Sequence, residues 1–363
     1  MSVAVLLLLG LRSLRKRRLI QRKWQRRTVF ILGRTVALLL MLTVILFPFY
    51  PPVPVTGPCA YRAQTIQFTQ PDRKDPYHPE QNRTLVIDYY YPEPDQLACQ
   101  SVPLIVFSHG GISSKTGNVS LFSELASHGY AVASLDHPYQ ALFTTINGRR
   151  VWMDGRYFRE LTGENSHRDI ENSFECFQRW MDIRIQDINA AIHYLTDRAA
   201  QGEKIFAIIN PEALGAAGHS LGGSAALGAA RLRPDIKAVL VLESPYLADI
   251  TGISDGDFTW NQAPYGTAIL NIYSDSGMPL VEKDHKYAQN KRHLVHHDKL
   301  NYFHIQGANH FTLTDLVLQS PLMCRLIGGS YKTAGEDSLK QINRAALAFF
   351  DRNLKKQTPA ILP

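Results

Sequence analysis

A mostly parallel β-sheet covered on both faces by helices, preceded by one membrane-spanning helix, is the α/β architecture that this sequence predicts, and three observations carry it. Short apolar, β-rich runs alternate with helix-like segments beyond residue 50, the pattern left by parallel strands joined through crossover helices. Residues 51–363 suit one large domain with an insertion better than several small ones. Near the N-terminus an apolar segment follows directly on a dense basic block.

In chain order, the basic block comes first. Arg12, Arg15, Lys16, Arg17, Arg18, Arg22, Lys23, Arg26 and Arg27 fall within residues 1–27, which read as a cytoplasmic segment. Thr28 to Tyr50 is apolar apart from Arg34 and is closed by Pro48 and the pair Pro51-Pro52. About twenty apolar residues cross a bilayer, and Arg34 near one end snorkels to the headgroups. The excess of Lys and Arg on the N-terminal side places residues 51–363 outside the cytoplasm. A cleaved signal peptide is the rival reading, but the charged region is too long for one and no A-x-A-like site follows the apolar core. A nucleic-acid-binding tail is disfavoured by the adjoining apolar segment, so no nucleic-acid partner is expected. Much of the formal charge of +7 lies before residue 35, leaving the rest near neutral. The basic balance therefore points to anionic lipid headgroups, not to an acidic substrate.

Strands are expected at Thr84 to Tyr91, Pro103 to Phe107, Tyr130 to Leu135, Leu214 to Gly218, Ile236 to Leu242, Ala268 to Tyr273 and Tyr302 to Ile305. The first strands, within Ala63 to Tyr91, are expected to pair antiparallel at one edge. Arg179 to Leu195 places Trp180, Ile183, Ile188, Ala191, Ile192 and Leu195 at helical spacing, and the closing helix, Ser338 to Asn353, does the same with Ile342, Ala345, Ala346, Phe349 and Phe350. Both stripes read as core. The chain has no internal repeat and no low-complexity tract.

The chemistry is concentrated in two motifs. Ser220 stands at the centre of Gly218-His219-Ser220-Leu221-Gly222-Gly223, after the apolar Ala213 to Ala217 and before the helix-like Ser224 to Arg231. A serine on a sharp strand-to-helix turn is a nucleophile elbow, and Gly218 and Gly222 remove side chains that would collide beneath it. Upstream, Ser108-His109-Gly110-Gly111 follows the strand Pro103 to Phe107, and glycines there let backbone N–H groups approach a substrate oxygen. The N–H groups of Gly111 and Leu221 are assigned to an oxyanion hole, with Gly110 shaping the turn. Taken alone, the second motif is an ordinary glycine turn; the two together, in this order, point to a serine hydrolase.

A serine hydroxyl needs a base. Among the 13 histidines, His310 is the best placed, in Gly307-Ala308-Asn309-His310-Phe311 just beyond the last expected strand. His285, His293, His296 and His297 fall in a charged, helix-like segment and read as exposed surface. His109 and His219 flank the site and are expected to pack or hydrogen-bond its turns, and His137 is expected at the cleft rim. Chain order leaves two acids: Asp275, after the strand Ala268 to Tyr273, and Glu243, after the strand ending at Leu242. Asp275 is narrowly favoured, with the unused carboxylate a hydrogen-bond acceptor nearby. Neither a CxxC pair nor a Cys/His cluster is present, so neither metal nor cofactor is expected. Of four cysteines, Cys59 and Cys99 could pair if the domain is exported, while Cys176 and Cys324 read as unpaired or buried.

From Pro54 to about Leu195, and again at the elbow and the His310 loop, the sequence resembles the platelet-activating-factor acetylhydrolase-like branch of the α/β-hydrolase superfamily, especially its bacterial membrane-associated relatives. The residues that carry the likeness are Pro54 to Pro58, Tyr89 to Pro92, Phe107 to Gly111, Glu124 to Tyr139, and Arg184 with Asp187. The resemblance implies a sheet of the eight-stranded type and oxyanion donors at Gly111 and Leu221. It also implies a triad acid at the strand end next after the elbow, a spacing that favours Glu243. The chain departs from the family pattern there, with Glu-Ser-Pro where members usually carry Asp, so both carboxylates stand.

Residues 139–179 carry Phe143, Trp152, Tyr157, Phe158, Phe174 and Phe177 among charges and are expected to form a lid or acyl-pocket wall, with a plain surface excursion as the alternative. Apolar lid residues favour a lipid-like or aromatic ester. The function expected is ester hydrolysis through an acyl-enzyme on small-molecule or lipid esters. An acyltransferase or thioesterase on the same triad and a catalytically silent binding protein are the rivals.

Overall fold

The computed structural model describes residues 3–48, 50–96, 101–296 and 302–356. Helix α1 (Val3–Leu46) runs unbroken through the basic block and the apolar segment. Then come β1 (Tyr61–Lys74), β2 (Asn82–Pro92), β3 (Val102–Ser108), α2 (Val119–Ser127), β4 (Ala131–Asp136), the hairpin β5 (Phe143–Ile146) and β6 (Arg149–Trp152), α3 (Gly155–Gly163) and α4 (Ile170–Ala200). The second half adds β7 (Ile209–His219), α5 (Leu221–Leu232), β8 (Ile236–Leu242), the hairpin β9 (Ile250–Ser254) and β10 (Asp257–Trp260), β11 (Ala268–Ser274), α6 (Met278–Lys283) and α7 (Ala288–His296). Strand β12 (Tyr302–Ile305), α8 (Leu316–Gln319), α9 (Pro321–Gly328) and α10 (Gly335–Leu354) complete it.

Eight strands form one sheet in the order β1-β2-β4-β3-β7-β8-β11-β12. The pairs β1/β2 and β2/β4 are antiparallel and the rest parallel, so the antiparallel edge falls where the sequence places it. Strands buried on both faces read as largely apolar runs; β3 and β4 are buried throughout, and β8 at every residue but Lys237. Alternate residues nevertheless divide between two cores. Leu104, Val106, Val239 and Val241 face α4 and α5; Ile105, Phe107, Leu240 and Leu242 face α2 and α10. All five apolar residues of the predicted α10 stripe are buried. So are the six predicted for α4.

The register carries the parallel strands to a common edge. Ser108 pairs with Gly218, His219 with Leu242, and Leu242 with Ile272. The residues that follow, His109 to Gly111, Ser220, Glu243 and Asp275, therefore emerge at the carboxyl ends of adjacent strands, the edge on which open α/β sheets place their ligands. Among the described cysteines, Cys59, Cys176 and Cys324 are free, the last two buried; Cys99 and His297 lie outside the described residues.

Candidate active site

Ser220 has φ 52° and ψ −126°, a left-handed conformation for a residue with a Cβ, and helix α5 starts at the next residue. The Ser220 N–H donates to the Leu242 carbonyl at 2.9 Å, which fixes the turn to the neighbouring strand. The glycines around it are steric necessities. A Cβ on Gly218 would lie 2.3 Å from the Gly222 carbonyl carbon, and one on Gly222 would lie 2.0 Å from the Ser108 oxygen. The elbow and the strand-β3 loop thus touch through backbone alone. Leu221 is the first residue of α5, where an N–H has no partner within the helix. Gly110 abuts the elbow, since a Cβ there would lie 2.9 Å from His219 Nδ1 and 3.6 Å from Ser220 Cβ.

His310 opens a short 3₁₀ turn, His310–Leu313, capped by Asn309, whose side chain accepts from Phe311 N and Thr312 N. Its Nδ1 lies 2.8 Å from Glu243 Oε1, and its backbone N–H donates to Ser276 Oγ at 2.9 Å. Glu243 is buried, at 1% exposure, and takes two donors on its other oxygen, the Ser274 N–H at 2.8 Å and the Ser274 hydroxyl at 2.5 Å. Burial pushes this carboxyl up, but the His310 hydrogen bond and charge, with the two Ser274 donors, outweigh it and hold the group below its ordinary range. Glu243 itself has φ 48°, and Gly277 makes room for it, since a Cβ there would lie 2.4 Å from its Cδ.

Asp275, the narrowly favoured acid, is engaged elsewhere. Its Oδ1 lies 2.9 Å from His304 Nε2 and its Oδ2 accepts from the Gly307 N–H at 2.9 Å. The physical reason is the backbone. The Asp275 N–H donates to the Ala308 carbonyl at 3.1 Å, tying the residue to the loop after β12, so its carboxylate turns along that loop and away from the imidazole. The carboxylate that meets His310 is Glu243.

His219 and His109 are both buried. The His219 Nε2–H donates to the His310 carbonyl at 3.1 Å, and its ring lies 4.4 Å from that of His310. His109 Nδ1 reaches the Gly110 carbonyl at 2.6 Å. Burial holds both imidazoles well below their ordinary pKa, and neither takes up a proton in the neutral range. His137 is not at the cleft rim. It is fully buried, with Nδ1 2.9 Å from Asp187 and Nε2 2.8 Å from the Ser108 hydroxyl, and burial pushes its pKa down to about 4. His285, read as exposed, is partly buried, with Nε2 2.7 Å from Ser166 Oγ.

Beneath the Gly110-Gly111 turn lies a polar network centred on Arg184 and Asp187, which the sequence marks as carriers of the family likeness without giving them a role. Arg184, with no exposed surface, donates to the His109 carbonyl at 2.6 Å, to Gln140 Oε1 at 2.7 Å and to the Tyr157 hydroxyl at 3.2 Å. One turn along α4, buried Asp187 accepts two hydrogen bonds from buried Arg83, at 3.1 and 2.6 Å, and one from Arg73 at 2.6 Å. Desolvation opposes the Asp187 charge, and Arg83, His137 and Arg73 overcome it, keeping the carboxyl far below its usual range. The available signal was two charged residues, Arg184 and Asp187, on the otherwise apolar face of α4. From the insertion, the Tyr157 hydroxyl donates to the Gly111 carbonyl at 3.2 Å, and Leu161 covers Gly111 so closely that a Cβ there would lie 2.9 Å from its Cδ2.

The family model for platelet-activating factor acetylhydrolase, isoform II, matches residues 92–359. Platelet-activating factor acetylhydrolase of Cavia porcellus is 20% identical over 268 residues, 70% of this chain and 58% of that protein, so the chain spans less than two thirds of its relative's length. Among solved structures, a ferulic acid esterase from Streptomyces cinnamoneus superposes with a TM-score of 0.60 at 18% identity, covering 85% of this chain and 94% of that one. The fold is that of the α/β-hydrolases, and the chain belongs to the platelet-activating factor acetylhydrolase, isoform II, family.

Proposed function

We propose that the chain is a membrane-anchored serine hydrolase of carboxylic esters, working through a Ser220-His310-Glu243 triad. The observation that carries this reading is the 2.8 Å contact between buried Glu243 and His310, on the same sheet edge as a strained serine at a helix N-terminus. Glu243 holds Nδ1 of His310 protonated, leaving Nε2 free to take the Ser220 proton as Oγ attacks the ester carbonyl. The N–H groups of Gly111 and Leu221 stabilise the oxyanion, and His310 passes its proton to the departing alcohol. A water deprotonated by the same imidazole then releases the acid. The chemistry calls for no cofactor. Leu161 over Gly111, braced by the fully buried Tyr157, forms the acyl-side wall of a lid built from residues 139–179, and its closeness favours a short acyl group. The names of the matched relatives, an acetylhydrolase and a ferulic acid esterase, support an ester as substrate.

The membrane part of the proposal rests on α1. Its stretch Arg27–Leu46 has a mean hydropathy of 2.5, is long and apolar enough to cross a bilayer, and is not covered by the rest of the chain. The Ser320 hydroxyl donates to the Leu46 carbonyl, and next to it α9 exposes Leu322, Leu326 and Ile327. These residues extend the apolar surface from the anchor onto the domain, and the positive-inside bias puts the basic end of α1 in the cytoplasm. The test is labelling of full-length protein in detergent with a fluorophosphonate probe. Labelling of wild type but not of Ser220→Ala or His310→Ala is expected; a folded wild type that takes no label would make the chain a silent scaffold.

A further inference from the structure

Glu243 and His310 belong to a closed ring of hydrogen bonds that passes through two serines, one closing β11 and one in the turn after it. The His310 backbone N–H donates to Ser276 Oγ at 2.9 Å, Ser276 Oγ lies 2.8 Å from Ser274 Oγ, and the Ser274 hydroxyl donates to Glu243 Oε2 at 2.5 Å. The contact of Glu243 Oε1 with His310 Nδ1, at 2.8 Å, closes the ring on the residue where it began. We propose that Ser274 is a positioning residue for the ester hydrolysis, acting through Glu243 to hold its carboxylate ionised and aimed at His310, with Ser276 completing the ring. The role rests on the triad reading and extends it to a residue that touches neither the imidazole nor the substrate.

The direction of each hydrogen in the ring is fixed. An N–H can only donate, so Ser276 Oγ accepts from His310; an ionised carboxylate can only accept, so the one hydrogen of Ser274 is committed to Glu243. The Ser276 hydrogen then goes to the nearer of its two acceptors, Ser274 Oγ at 2.8 Å, and not to Glu243 Oε1 at 3.4 Å. Hydrogen bonds that run head to tail polarise one another, and these converge on Glu243, whose Oε2 also takes the Ser274 N–H at 2.8 Å. Ser274 is fully buried, and the gap left by its hydroxyl would be too small for water. Ser276 is exposed, so water can take its place.

Gly277 completes the arrangement. Its N–H reaches Ser274 Oγ at 3.3 Å, and a Cβ on it would lie 2.4 Å from both Cδ and Oε2 of Glu243, so a side chain there would push the carboxylate off Ser274. Glu243 is thus held between a buried donor and bare backbone, which leaves Oε1 facing the imidazole. Within Ser274-Asp275-Ser276-Gly277 the small residues serve Glu243, while the one charged side chain turns to His304.

Hydrolysis of p-nitrophenyl acetate by full-length protein in detergent, followed from about pH 5 to 9, tests this. Ser274→Ala should lower kcat by about tenfold to a hundredfold, the scale of one hydrogen bond to a charged group, with KM unchanged. Ser276→Ala should lower it by about threefold or less. Loss of the Ser274 donor leaves the carboxylate a stronger base, so the proton it shares with the imidazole is held more tightly and the acid limb of kcat/KM moves to higher pH. Burial keeps nearby His219 unprotonated and Tyr273 and Tyr287 protonated, so none of them titrates on that limb. In a Glu243→Gln background Ser274→Ala should bring no further loss, as expected of a residue that acts only through Glu243. A folded Ser274→Ala with wild-type kcat and an unmoved acid limb, or one whose loss persists in full beside Glu243→Gln, would overturn the positioning role and leave the triad standing. A wild type that neither hydrolyses the ester nor takes the fluorophosphonate label would overturn the triad reading and this role with it.

Discussion

Replacing Glu243 by Gln tests the triad acid with almost no change of shape. On one side of the native carboxylate stand the Ser274 N–H at 2.8 Å and the Ser274 hydroxyl at 2.5 Å, both donors to Oε2; on the other stands His310 Nδ1, 2.8 Å from Oε1. A glutamine has one oxygen to offer. The backbone N–H of Ser274 cannot turn away, so the oxygen goes to the Ser274 side and the amide N–H₂ faces the imidazole. His310 must then accept at Nδ1 and carry its proton on Nε2, where it can no longer take the serine proton. The equivalent tautomer reversal in a serine protease lowers kcat by about ten-thousandfold, equivalent to roughly 5.5 kcal/mol of barrier. A loss of that order in kcat for p-nitrophenyl acetate hydrolysis is expected for Glu243→Gln, with fold intact by circular dichroism. Asp275→Asn, changing an exposed carboxylate paired with His304, should stay within about threefold of wild type. If Asp275→Asn lost activity while Glu243→Gln kept it, the assignment of the acid would be wrong.

Three further outcomes follow from the same contacts. Asp187→Asn leaves buried Arg83 and His137 facing a neutral amide, and breaking a buried pair costs about 3–5 kcal/mol, to be read as a fall in urea midpoint at constant slope. Leu161→Ala opens the space over Gly111 and should raise the butyrate-to-acetate ratio of kcat/KM by about tenfold, the scale of one or two methylenes in an apolar pocket; an unchanged ratio would remove α3 from the acyl wall. Acidification should destabilise the domain: His137 has a pKa of about 4 when folded against about 6.5 unfolded, so the folded state binds fewer protons in that window. This stability is complete above pH 6.5 and is lost as pH falls towards 4, by on the order of 3 kcal/mol. His109 and His219 act in the same direction, and buried Asp315, raised to about 6, acts in the opposite one, gaining stability as pH falls through 6. Urea unfolding at pH 7.5 and 5 should show the net loss, with a shallower fall in His137→Asn; a wild-type midpoint independent of pH would contradict it.

The centre of the sheet was legible because its inner strands are buried on both faces and read as largely apolar runs bounded by turn residues. The two hairpins were not anticipated, although each carries a local signal. Asn147-Gly148 and Asp255-Gly256 both have positive φ at the two turn positions, the conformation that hairpins of this kind demand. Their strands are only four or five residues long and partly polar, so periodicity alone could not raise them above loop. The elbow was legible for a different reason: glycine is required wherever backbone approaches backbone, a requirement written into the residue types at Gly218 and Gly222, whereas His310 was legible from its place just after the last strand.

The acid shows where such reading ends. Chain order brings two carboxylates to adjacent strand ends, and composition offers no basis for preferring one, because the difference lies in which way each backbone turns. At Glu243 a positive φ, a donor pair from Ser274 and the missing side chain of Gly277 aim the carboxylate at the imidazole. At Asp275 the N–H bond to Ala308 aims it along the outer loop. Both devices are made by residues that carry no charge. The same holds under Gly110-Gly111, where Arg184 holds the loop through the His109 carbonyl, not through any ion pair with the site. The groups proposed to react are thus announced by residue type, whereas their aim depends on main-chain hydrogen bonds that only the fold brings into register.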